Sequence, residues 1–89
     1  MNAIITVVGN DKVGIIAKVS AFLADRGINI EDISQTILSG NFVMMMMVDL
    51  SASSKALEEI KKELKTLSDT LNVSITVTHE KVFTAMHRI

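Results

Sequence analysis

Cysteine, proline, tryptophan and tyrosine are all absent from this 89-residue chain. Without cysteine there are no disulfides, no thiolate metal ligands and no thiol chemistry, and the redox compartment is left undetermined by that count. Without proline, and with four glycines, there is no Pro/Gly/Ser-rich linker, so residues 1–89 read as one small domain with a single core. Aromatics are scarce: three Phe stand against 48% hydrophobic residues, so the interior has to be built from Ile, Val, Leu and Met. An excess of charge is also lacking. Lys and Arg total 9 against 10 Asp and Glu, for a net charge of −1, far from the basic footprint that counterion release demands of a nucleic-acid binder. Residues 1–9 carry no basic leader, and their apolar run stops at Asn10 and Asp11, too short for a signal peptide or a membrane span. The expected location is cytoplasmic, with neither nucleic acid nor membrane as a partner.

What is present is strongly patterned. Residues 3–8 (AIITVV) form a β-branched run closed by Gly9, as in a buried strand. Ile15, Val19, Phe22 and Leu23 then recur at helical spacing, predicting a helix over 12–26 with Asp11 as N-cap and Gly27 as C′ residue. In the extended stretch 28–39, Ile28 and Ile30 share one phase and Ile33 and Ile37 the other. A period of two cannot hold both sets on one face, which predicts a β-bulge near Glu31-Asp32. Gly40-Asn41 is expected to turn the chain into a third strand, 42–50, apolar at nearly every position. From a cap at Ser53 or Ser54, Leu57, Ile60, Leu64, Leu67 and Leu71 fall on one helical stripe. Val73, Ile75 and Val77 alternate with Ser74, Thr76 and Thr78 in a half-exposed strand. In the tail, 81–89, the spacing of Val82, Phe83, Met86 and Ile89 suits a short amphipathic helix.

The order β-α-β-β-α-β is the split βαβ pattern of an α+β, ferredoxin-like sandwich: a four-stranded antiparallel sheet with both helices on one face. Its first and third strands are central, and both are apolar on both faces here. The helices cover one face; the other needs the tail or a second subunit over it. A homodimer with the tail as contributor is the expectation.

Gly9-Asn10-Asp11-Lys12-Val13-Gly14 joins a strand to a helix N-terminus. Unpaired amides and the positive end of the helix dipole attract a carboxylate or phosphate there, and Gly14 admits close approach to the backbone. A cap and a tight turn account for the same residues without any ligand.

The segment GNDKVGIIAKVSAFLADRGINIEDISQTI resembles the opening half of an ACT domain, whose pattern is an acidic or Asn residue, a basic residue, Pro, Gly, a helix, and then Gly-x-Asn-Ile opening the next strand. The likeness extends over the whole chain, and the closing AMHRI is similar to the tail of small stand-alone prokaryotic ACT-domain proteins of unassigned role. The resemblance implies a sensor of amino acids or related small molecules, binding at an interface between two copies. Carried over by position, it implies a ligand region of Asn10, Asp11, the Gly14 backbone and Asn29, with Ile30 packing beneath and Gln35 in the wall. Two departures matter. Val13 stands where the pattern has Pro, so the loop loses a fixed φ. Asp11 stands where some serine-binding members have Asn; its charge repels a ligand carboxylate and pairs with an ammonium group.

Other features weigh less. Met44-Met45-Met46-Met47 could suggest Cu(I) ligation, but successive strand residues point to opposite faces and cannot converge on one ion. His79 and His87 lack a matched ligand set, and surface or tail roles suit them; His87 with Arg88 could contact an anion or a partner. No catalytic triad, paired-carboxylate motif or Walker loop occurs, and no cofactor or metal is implied. The expected function is regulatory: a small-molecule binding domain, with an amino acid as the expected ligand, acting as a homodimer on a separate partner protein, and not an enzyme. One alternative is a ligand-free interaction or dimerisation module. A remote one is an acylphosphatase-like hydrolase, which wants Arg where this loop has Lys12. Subunits joined edge to edge through 28–39 would be family-like, whereas the double-sided Met strand favours face to face.

Overall fold

Strands and helices follow the anticipated order in the computed structural model, which describes residues 2–10 and 14–81: β1 (Asn2–Gly9), α1 (Ile15–Asp25), β2 (Asn29–Leu38), β3 (Asn41–Asp49), α2 (Leu57–Leu71) and β4 (Ser74–His79). The sheet is antiparallel in the order β2-β3-β1-β4, so the two doubly apolar strands are indeed central. Register splits their side chains cleanly. Ala3, Ile5 and Val7 of β1 and Phe42, Met44, Met46 and Val48 of β3 are buried against Ile15, Val19, Phe22 and Leu23 of α1 and Ile60 and Leu64 of α2. Alternate residues Ile4, Val8, Val43, Met45 and Met47 lie on the face away from the helices. The four consecutive methionines thus divide two and two, as strand geometry requires.

The bulge falls where the phase conflict placed it. Ile30 pairs with Val48 and Asp32 with Met47, leaving Glu31 as the extra residue; Ile33 then returns to the helix side opposite Met46.

Several boundaries differ from expectation for local reasons. The hairpin turn is Ser39-Gly40, not Gly40-Asn41: Leu38 pairs with Asn41, and φ is 52° at Ser39 and 79° at Gly40, the positive pair of a type I′ turn that matches strand twist. Helix α2 starts at Leu57 with Ala56 as N-cap and no side-chain cap. The Ser53 hydroxyl instead donates to the Lys55 carbonyl at 2.8 Å and accepts from the Lys55 amide at 3.1 Å, a local turn that competes with capping. Glu58 and Glu59 in the first turn complement the helix dipole instead. Helix α1 is described from Ile15, with Gly14 at its N-cap; the expected cap Asp11 lies outside the described residues, as does the tail beyond Lys81.

The expected C′ glycine is present. The Ile28 amide donates to the Leu23 carbonyl at 3.0 Å and the Gly27 amide to Ala24 at 3.1 Å, the paired bonds of a Schellman motif. Leu23 and Ile28 are both buried, which supplies its apolar contact. Left-handed Asn72 closes α2 with equivalent bonds, from Asn72 to Asp69 and from Val73 to Ser68.

Candidate functional site

The β1–α1 loop leaves the sheet at Gly9, whose strand neighbour is Phe42, which in turn pairs with Ile37 of β2. Asn10 and Gly14 are exposed on either side of the undescribed residues 11–13. Gly14 has φ of 79°, and a Cβ built there would meet no atom within 4 Å. Its backbone is therefore open to approach as well as conformationally glycine-specific. Its carbonyl accepts the Lys18 amide at 2.9 Å, the first bond of α1.

Gln35 lies near the same end of the sheet. It pairs with Met44, is exposed, and with Thr36, Ile37 and Phe42 lines a shallow depression of about 190 Å³. Asn29 and Ile30 sit at the other end of β2, opposite Asp49 and Val48. Asn29 is exposed, while Ile30 is half-buried against the core. Gln35 lies six positions along the strand from Asn29, on the order of 17–20 Å allowing for the bulge. One subunit thus gathers Asn10, Gly14 and Gln35 toward one end and leaves Asn29 and Ile30 at the other.

Between these groups runs the outer edge of β2. Among the described residues no strand pairs with it, and Ile33, Ile37 and Leu38 are 38%, 60% and 65% exposed. An apolar, unpaired edge of this kind is a template for another strand.

A second cluster escaped sequence reasoning. Arg26, at the end of α1, stacks its guanidinium 3.5 Å from the Phe22 ring centroid and donates to the Phe22 carbonyl at 2.9 Å. It also makes two bonds to Glu63 of α2, whose carboxylate accepts from Lys55 Nζ at 3.2 Å. The Arg26 hydrogen bonds, with help from Lys55, hold the Glu63 carboxyl well below its ordinary value of 4.5, at about 2. These groups satisfy one another and read as a helix-to-helix clamp. No local signal could have revealed a pair 37 residues apart. Among the described residues, no group of three or more His, Asp or Glu side chains could hold a metal ion, and no helix is long and apolar enough to cross a membrane.

Comparison with known proteins agrees with this architecture. The sequence profile of the ACT domain matches residues 2–78. A UPF0237 protein of Clostridium acetobutylicum is 51% identical over 89 residues, covering all of both chains. The solved structure of an ACT domain protein from Streptococcus pneumoniae superposes with a TM-score of 0.83 at 44% identity, over 93% of each chain. A putative glycine cleavage system transcriptional repressor shares the fold at a TM-score of 0.78 and 22% identity, over 86% of this chain and 45% of that one.

Proposed function

This chain belongs to the ACT domain family, a family of regulatory ligand-binding domains, and on that premise we propose that it binds a free amino acid between two copies of itself and signals occupancy to a separate protein. The observation that carries this reading is the apolar, unpaired β2 edge, whose Ile37 end lies at the same end of the sheet as the departure of the loop that carries the open Gly14 backbone. Two copies that pair through β2 about a two-fold axis run antiparallel. The Asn29 end of one β2 then lies against the Leu38 end of the other, the end of the sheet from which the β1–α1 loop departs. Residues that one subunit keeps apart would meet across the interface.

In that pocket the amides around Gly14, at the positive end of α1, receive the ligand carboxylate. Asn10, together with Asn29 of the partner subunit, offers amide donors and acceptors. The Asp11 carboxylate suits the ammonium group. Ile30 forms the floor and Gln35 the wall. The chemistry required of the ligand is a zwitterion, with both charges held a few ångströms apart.

Isothermal titration of the full chain against the twenty amino acids tests the reading. Binding of at least one, weakened tenfold or more by Asn29→Ala, is the expected result; no heat from any of them overturns it. The same apolar edge also favours a second reading, a dimerisation module without a ligand. A dimer that persists in Asn29→Ala and captures the same partner with or without amino acids would select that reading.

A further inference from the structure

We propose that a cavity between the two helices binds a monocarboxylic acid with an aliphatic chain, its carboxylate received by Arg26. Helix α1 lies closest to β2 and α2 to β4, the opposite edges of the sheet. Between them opens a cavity of about 410 Å³, lined by Phe22, Arg26, Glu63, Thr66, Leu67 and Thr70. That volume falls in the range of small-molecule sites. None of these residues belongs to the amino-acid site, and the proposal does not depend on that reading.

Arg26 is held there without being saturated. Its Nε and Nη2 donate to Glu63 and its Nη1 to the Phe22 carbonyl, which engages three of the five guanidinium N–H groups. Glu63 takes the Nε–Nη2 edge, so the edge between the two terminal nitrogens keeps one N–H on each with no acceptor among the described residues. Two parallel N–H groups on one edge match the two oxygens of a carboxylate. Stacking at 3.5 Å over the Phe22 ring centroid fixes the guanidinium plane beforehand, which lowers the ordering cost of binding. Glu63 does not cancel the attraction. Lys55 Nζ also reaches its carboxylate, at 3.2 Å, so two cations face one anion.

The remaining lining selects the body of the ligand. Phe22 and Leu67 are apolar and pack on the core. The Thr66 and Thr70 hydroxyls donate to the Lys62 and Thr66 carbonyls at 3.4 and 3.1 Å. Their hydrogens are spent, so they offer methyl groups and acceptor oxygens, which disfavour a second anionic group. Thr70 lies seven residues beyond Glu63, about 10 Å along the helix, so a chain of several methylenes can follow α2 away from the guanidinium.

Octanoate, kept below its micelle concentration, is the probe. Titrated into the isotope-labelled full chain, it should shift the Arg26 Nε–H resonance and the amides of Thr66, Leu67 and Thr70 along one saturating curve. Octanol, which lacks the charge, and inorganic phosphate, which lacks the chain, should each bind about tenfold or more weakly by the same resonances. Arg26→Lys keeps a cation and removes the fork, and should weaken octanoate by about tenfold or more. Thr70→Trp, at an exposed position, fills the cavity while leaving the clamp intact, and should weaken it as much. No shift at these resonances, shifts confined to the sheet, octanol binding as tightly as octanoate, or unchanged affinity in Thr70→Trp overturns the proposal.

Discussion

The guanidinium of Arg26 holds the carboxylate of Glu63 by two hydrogen bonds, Nε to Oε1 at 3.0 Å and Nη2 to Oε2 at 3.2 Å. This pair ties the end of α1 to the middle of α2. It also gives the fold a defined acid response. The Glu63 carboxyl is depressed from 4.5 to about 2 in the folded chain. Its contribution to stability is therefore complete above the unfolded value and is lost as pH falls from about 4.5 toward 2. Urea unfolding across that interval should show a declining midpoint. In Glu63→Gln the part of the decline due to this group should vanish, while the midpoint at neutral pH drops.

Gly14 and Gly27 share a left-handed backbone, with φ of 79° and 71°, but differ in what surrounds them. A Cβ at Gly14 meets nothing, whereas one at Gly27 would stand 2.8 Å from the Ala52 carbonyl oxygen. Gly14→Ala should cost about 1–2 kcal/mol, from conformation alone. Gly27→Ala should cost visibly more, since backbone must move as well. Chemical denaturation of the two variants measures the difference.

Neighbouring methionines should respond unequally. Met46 is fully buried between sheet and helices, so Met46→Ala should destabilise by about 2–5 kcal/mol through lost transfer energy and a residual cavity. Met47, half-buried on the opposite face, should cost clearly less on the same substitution. Equal losses would contradict the alternation described for β3.

Ile37 is 60% exposed on the β2 edge, where a charge should be tolerated by the subunit and resisted by an interface. Ile37→Lys should leave thermal unfolding of the subunit within about 0.5 kcal/mol while shifting light scattering toward the monomer. A variant that assembles as the native chain does would remove β2 from the interface.

Much of this architecture is legible in residue order because the relevant forces are local or periodic. The phase break between Ile30 and Ile33 announces the bulge, and the two-sided apolarity of β1 and β3 announces their central place. Gly27 marks the end of α1 because it alone there takes a positive φ without penalty. What was misread depended on competition between near-equal local options. Ser53 was a sound N-cap by type, yet its hydroxyl closes a turn on Lys55 and leaves Ala56 at the cap. Two consecutive positive φ values at Ser39 and Gly40 moved the turn by one residue. The candidate site was legible as a set of residue types only. Their separation along β2, with Asn29 far from Gly14, is a property of the sheet and has no trace in local spacing.

The peptide groups of β2 alternate between those turned toward β3 and those turned outward. In a solitary subunit the outward set meets only water, so deuterium should enter at every second position and spare the rest. That alternation works as an internal gauge: it fades when another chain lies alongside, and a residue-by-residue exchange map reads it without any label or added reagent.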